Sequence, residues 1–138
     1  MKSKLNLAVA VILLVAAYGQ NNTNGNNKSP KAEKGMTKVS VFYPGGEGKT
    51  FNWDYYINKH LPLIKNSLGD SVKLITIDKG ISGREPNSPP AYVAMFHMYF
   101  ESLSAYRNSF GPHAQKIVAD VPNYTNIQPV LQISEVQY

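Results

Sequence analysis

Three histidines, His60, His97 and His113, are the side chains best suited to proton transfer near neutral pH in this chain. No two of them stand at metal-ligand spacing, and no carboxylate completes a His-Glu-x-x-His pattern, so no metal site is expected. The chain contains no cysteine, which removes disulfides, thiolate ligands and thiol nucleophiles from consideration. His60 has the richest surroundings. It follows Tyr56 by one helical turn, so the two side chains can touch. It precedes Pro62, which cannot donate to the carbonyl of Asn58 and leaves an acceptor beside the ring. Taken alone, the helix also fits a solvated border histidine.

The other candidates have weaker surroundings. His97 sits in an apolar stretch and reads as a satisfied core group or a cavity group. His113 follows Pro112 at the start of a helical turn, where the helix dipole favours the neutral imidazole. Asp120 ends that turn and could either orient a histidine or hydrogen-bond the exposed amides of its own turn. Tyr124 fits either a hydroxyl aimed inward or an aromatic plug. Tyr43, Tyr92, Phe96 and Tyr99 read as core.

These residues are positioned by a regular alternation of elements. Lys38 to Tyr43 reads as a strand, stopped by Pro44-Gly45-Gly46. A helix follows from Asn52 to Leu68, with Trp53, Ile57, Leu61, Ile64 and Leu68 on its apolar face and Gly69 closing it. Val72 to Lys79 is a second strand, and Gly80 to Pro90 is a loop. Ala91 to Phe100 is a third strand. Ser102 caps a helix to Phe110, Gly111-Pro112 restarts a turn to Asp120, and Val130 to Val136 is the last strand. The order is βαββαβ, a ferredoxin-like α+β pattern. Two helices cover only one face of such a sheet. The third strand nevertheless carries apolar residues on both faces, which predicts a homodimer packed sheet to sheet.

The net charge of +5 comes mostly from the start of the chain, where five lysines and one glutamate precede Thr37. From Thr37 onward nine basic residues face eight acidic ones, so the domain has no basic footprint for nucleic acid. Pro44-Gly45-Gly46-Glu47-Gly48-Lys49 lacks phosphate-loop spacing and reads as a mobile loop at a cavity mouth, so no nucleotide cofactor is expected. Residues 1–19 have the basic start, short apolar run and small residues of an export signal, with cleavage before Gln20. An uncleaved anchor is the alternative, and it is the one expected route to membrane association. Val15-Ala16-Ala17 resembles a lipoprotein lipobox, but Tyr18 stands where the acylated cysteine would be. Residues 20–36 are Asn-, Gly- and Lys-rich and read as a flexible linker, which leaves 37–138 as the domain. The chain is therefore expected to be exported, periplasmic or extracellular.

Four segments in order carry a family resemblance: Tyr55 to Leu63, Phe110 to Ala114, Ala119 to Thr125, and Gln132 to Val136. Together they resemble the EthD family, named for ethyl tert-butyl ether degradation. The resemblance implies a dimeric α+β barrel in which two ferredoxin-like sheets enclose a small cavity. It also implies an oxidoreductase-type assignment without a fixed substrate. The export signal departs from the usual member and argues against a cytosolic redox partner. The expected activity is acid–base chemistry by His60, supported by Tyr56 and Asp120, on a small and partly apolar carbonyl or phenol-like substrate. His113, Tyr124 and His97 are expected to line the cavity. No cofactor is predicted, although haem or another small redox group is left open. The alternative is a non-catalytic module that holds a small hydrophobic ligand.

Overall fold

The computed structural model describes residues 29–138. The expected export signal, residues 1–19, and most of the expected linker lie outside the described residues. The elements are β1 (Thr37–Pro44), α1 (Trp53–Tyr55), a π turn (Tyr56–His60), α2 (Leu61–Leu68), β2 (Val72–Lys79), β3 (Tyr92–Phe100), α3 (Leu103–Phe110), α4 (Ala114–Ala119) and β4 (Val130–Glu135). Short 3-10 turns at Gly69–Ser71, Gly111–His113 and Val121–Asn123 join them. The strands form one antiparallel sheet in the order β2-β3-β1-β4. This is the ferredoxin-like α+β fold that the element order predicts, with the helices on one face.

Strand alternation decides what each face carries. Val39, Val41 and Tyr43 of β1 register with Met98, Phe96 and Ala94 of β3, and all of these point to the helices. Val39, Tyr43, Ala94, Phe96, Met98 and Phe100 are buried there with Tyr56, Ile64, Leu68, Tyr106, Ile117 and Tyr124. The opposite face carries Lys38, Ser40 and Phe42 beside Tyr99, His97 and Met95. Tyr92 and Phe42 pack there at 5.1 Å between ring centroids.

The long helix departs from its sequence pattern at one point. The predicted apolar face includes Ile57, which is 42% exposed, while Tyr56 and His60 are 1% and 3% exposed. The buried row is Tyr56, His60, Ile64 and Leu68, four residues apart throughout. Such a row drifts by roughly 40° per step on an ideal α-helix of 3.6 residues per turn. The π turn widens the ladder, with the Leu61 N–H bonded to the Tyr56 carbonyl five residues back, and this resets the drift. His60 is thereby turned inward rather than left on a solvated border. Asn52 caps the helix start by accepting from the Tyr55 N–H at 3.0 Å. Gly69 closes it at φ 51°, a conformation that favours glycine.

Candidate active site

Two chain segments must meet for His60 to have partners. The Asn52 N–H donates to the Tyr124 carbonyl at 2.7 Å, and Phe51 and Thr125 form an isolated antiparallel bridge. The Thr125 hydroxyl donates to the Thr50 carbonyl at 2.6 Å. These bonds lash the start of α1 to the turn after α4. Asp120 and Tyr124 are thereby placed against the inward face of the π turn.

His60 Nδ1 lies 2.8 Å from Asp120 Oδ2. An ionised carboxylate can only accept, so Nδ1 carries the proton and Nε2 of the neutral ring is left as an acceptor. Asp120 Oδ1 accepts from the Tyr55 hydroxyl and from Asn123 Nδ2, each at 2.8 Å. Burial pushes the Asp120 carboxyl up, but the hydrogen bonds from Asn123, His60 and Tyr55 outweigh it and hold the group below its ordinary value. Burial also pulls His60 below its ordinary value, with Asp120 acting against the shift. The site therefore holds an ionised carboxylate behind a neutral imidazole.

On the far side of the ring, Tyr124 Oη is 3.4 Å from His60 Nε2 and 2.8 Å from Tyr43 Oη. Burial is the main reason both phenols sit above their ordinary value and stay protonated. The phenol–imidazole contact is at the long limit for a hydrogen bond, whereas the phenol–phenol contact is a good one. Tyr43, Tyr124 and His60 border a pocket of about 110 Å³ between the sheet and the helices. Its other walls include Val41, Phe96, Met98 and Leu131 from the sheet and Ile64, Tyr106, Phe110 and Ile117 from the helices.

Asp120, Tyr124 and His60 come together in one hydrogen-bonded cluster. Tyr56 reaches His60 by its ring, at 5.3 Å between centroids, and not by its hydroxyl. That hydroxyl is buried without a hydrogen-bond partner among the described residues, although it feels the neighbouring Tyr43 phenol. The acceptor freed by Pro62 is not what fixes the imidazole, because Asp120 already holds Nδ1. His97 belongs to the opposite sheet face, since strand alternation turns it away from Phe96 and Met98. It binds Ser40 Oγ at 2.8 Å there and lies 3.7 Å from Asp78. It does not border the pocket beside His60. His113 is half-buried in its 3-10 turn and does not border the pocket. The loop at Pro44 to Lys49 is not at the pocket mouth either. Gly45 donates to the Ala91 carbonyl at 2.9 Å, and the Asn126 side chain donates to the Gly48 carbonyl at 2.9 Å.

Two contributors escape the sequence reading. Tyr43 falls on the inward series Val39, Val41, Tyr43, and a phenol buried among aliphatic residues needs a hydrogen-bond partner. That was the available signal. Tyr55 looks like one more residue of a polar helix face, and only the tertiary fold brings it to Asp120.

The fold and site define a class: a small ferredoxin-like α+β domain with a carboxylate-backed histidine opening on an apolar pocket. The EthD domain model matches residues 46–128, and the chain belongs to the EthD family. An EthD-like protein from Ralstonia eutropha JMP134 is 41% identical and superposes with a TM-score of 0.71, covering 75% of this chain and 94% of that one. An EthD family protein from Bacillus halodurans C-125 shares the fold at 18% identity and a TM-score of 0.53, covering 74% and 99%. A dimeric ferredoxin-like protein of unknown function from Thermobifida fusca YX shares it at 7% identity and a TM-score of 0.50, covering 78% and 97%. No curated protein matches the chain.

Proposed function

We propose that this protein is a small acid–base enzyme in which His60 Nε2 takes a proton from a small, largely apolar substrate. One observation carries the reading. The imidazole is held by Asp120 at 2.8 Å through Nδ1, while Nε2 faces the Tyr124 hydroxyl at 3.4 Å, and both residues border the pocket. The base accepts the proton at Nε2, and Asp120 stabilises the imidazolium that forms. Tyr56 supports the ring from below by packing. An electron-rich enolate or phenolate made in this way is also the form that gives electrons to an acceptor, so the oxidoreductase expectation would begin with the same step.

Pocket size limits the substrate. At about 110 Å³ the space is smaller than the ~150 Å³ engineered cavity that takes benzene, and smaller than the ~300 Å³ where drug-sized sites begin. The occupant is a molecule of a few heavy atoms, or it enters as the pocket edge at Phe110 and Val118 yields.

A homodimer through the open sheet face belongs to this proposal, supported by Phe42, Tyr92, Met95 and Tyr99 on that face. Export by residues 1–19 is proposed from the sequence alone. The test is deuterium uptake from D2O at the acidic C–H of a panel of small ketones, nitroalkanes and nitriles. The wild type should label at least one of them, and His60→Gln should slow that labelling by about a hundredfold to ten-thousandfold. Binding without labelling would favour the alternative, a module that holds a small hydrophobic ligand.

A further inference from the structure

We infer that the substrate is an uncharged carbonyl compound whose oxygen sits on the Tyr124 hydroxyl, itself backed by Tyr43, while its α-carbon faces His60 Nε2. This deepens the acid–base reading and rests on it.

The weak link in the polar chain locates the entry point. With Nδ1–H given to Asp120, the proton order that satisfies every member is Tyr43 O–H to Tyr124, and Tyr124 O–H to His60 Nε2. The first bond is 2.8 Å and the second is 3.4 Å. A proton held that loosely is readily redirected to a better acceptor. A carbonyl oxygen that takes it performs two tasks at once. It gains a donor, and it releases Nε2 to act as a base. Tyr43 then polarises Tyr124 from behind through an unbroken hydrogen bond.

The walls set the charge of the ligand. Among the described residues that line the pocket there is no lysine, arginine, aspartate or glutamate. The polar atoms it offers are the imidazole and the phenol groups of Tyr43, Tyr106 and Tyr124. A carboxylate or phosphate would enter without a cation to pair with, close to the ionised Asp120 behind the ring. A neutral molecule with one strong acceptor and an apolar body matches the lining.

The step balances without a further reactant. His60 Nε2 takes the α-proton, and the C–H electron pair becomes the C=C bond. The carbonyl π pair moves to oxygen, where the Tyr124 O–H stabilises the enolate. When Nε2–H first exchanges with solvent, return of a solvent-derived proton to the same carbon gives exchange. Return to a remote carbon of an unsaturated ketone gives its conjugated isomer.

The test uses the full chain with cyclopentanone in D2O and with cyclopent-3-enone, followed by the absorption of the conjugated product. The wild type should label the first and isomerise the second. Tyr124→Phe should slow both by about 10²–10³-fold, the scale for one lost oxyanion donor, and Tyr43→Phe should slow them by less. Pyruvate, equally small but anionic, should show no acceleration. Two arms need only the wild type and stand even if a tyrosine variant fails to fold. These are the pyruvate arm and a comparison of cyclopentanone with methylenecyclopentane, an isostere without the oxygen, where the ketone should bind more tightly. Three results would overturn the inference: an unchanged rate in Tyr124→Phe, pyruvate labelled as fast as cyclopentanone, or equal binding of the two isosteres. Labelling of nitroalkanes or nitriles but not of ketones would also overturn it, while leaving His60 as the base. Loss of all labelling with every carbon acid would instead sink the acid–base reading beneath it.

Discussion

His60 and His97 lie on opposite sides of one sheet. Each uses Nδ1 in a 2.8 Å hydrogen bond, and each has an aspartate nearby. Burial lowers the pKa of both. The difference lies in what each ring faces. His60 is backed by the carboxylate itself and borders a pocket. His97 is backed by a hydroxyl, sees Asp78 only at 3.7 Å, and lies on the sheet face opposite the helices, beside Phe42. A carboxylate and a histidine make a candidate base only when the free nitrogen opens on a space that a substrate can fill.

The contrast can be broken most sharply at Asp120. In Asp120→Asn the Tyr55 and Asn123 donors keep the amide oxygen on their side, so the amide N–H turns to His60 Nδ1. The imidazole must then carry its proton on Nε2 and points a donor at the pocket. Proton-transfer activity should fall about a hundredfold to ten-thousandfold, with the fold retained. Asp78→Asn, beside His97, should leave turnover unchanged, as kinetics on the two variants would show.

The two faces can also be separated by one charge on each. Met98 is 3% exposed on the helix side, and Met98→Asp should cost about 3–5 kcal/mol or more, visible as loss of cooperative thermal unfolding. Met95 lies on the open face, and Met95→Asp should keep the fold but shift sedimentation from dimer to monomer. A wild type that sediments as a monomer at micromolar concentration would remove the dimer from the account.

The smallest effect is in pH dependence. Both histidines titrate below the ordinary value of 6.5 in the folded chain, so the unfolded chain takes up protons first. Stability should be full above about pH 6.5 and fall as pH drops from there towards the folded pKa values. Asp120, also held low, adds its own loss only further down, as pH falls through its folded value. Thermal melts across this range should show the slope flattened by His60→Gln and by His97→Gln alike.

Much of the fold is legible in the sequence because its punctuation is strong. β-Branched runs mark the strands, Asn52 and Ser102 cap helices, and Gly69 ends one. The helix face is less legible. Ile57 fits an ideal α-helical stripe, but the π turn chooses Tyr56 and His60 instead, and no local residue type announces that turn. Within the site, Asp120 and Tyr124 are recognisable from the family-like segment they share. Tyr55 is not, since its 2.8 Å bond to Asp120 spans 65 positions and depends on the lashing of Asn52 to Tyr124.

The most direct test of the central claim is the protonation of the His60 ring near neutral pH, read from two-bond proton–nitrogen correlations in the imidazole. The expected result is a neutral ring with the proton on Nδ1, a bare Nε2 and a pKa below 6.5, with Nε2 responding when a small ketone is added. A ring protonated at Nε2, or one titrating at the ordinary value and indifferent to the ketone, would contradict the account.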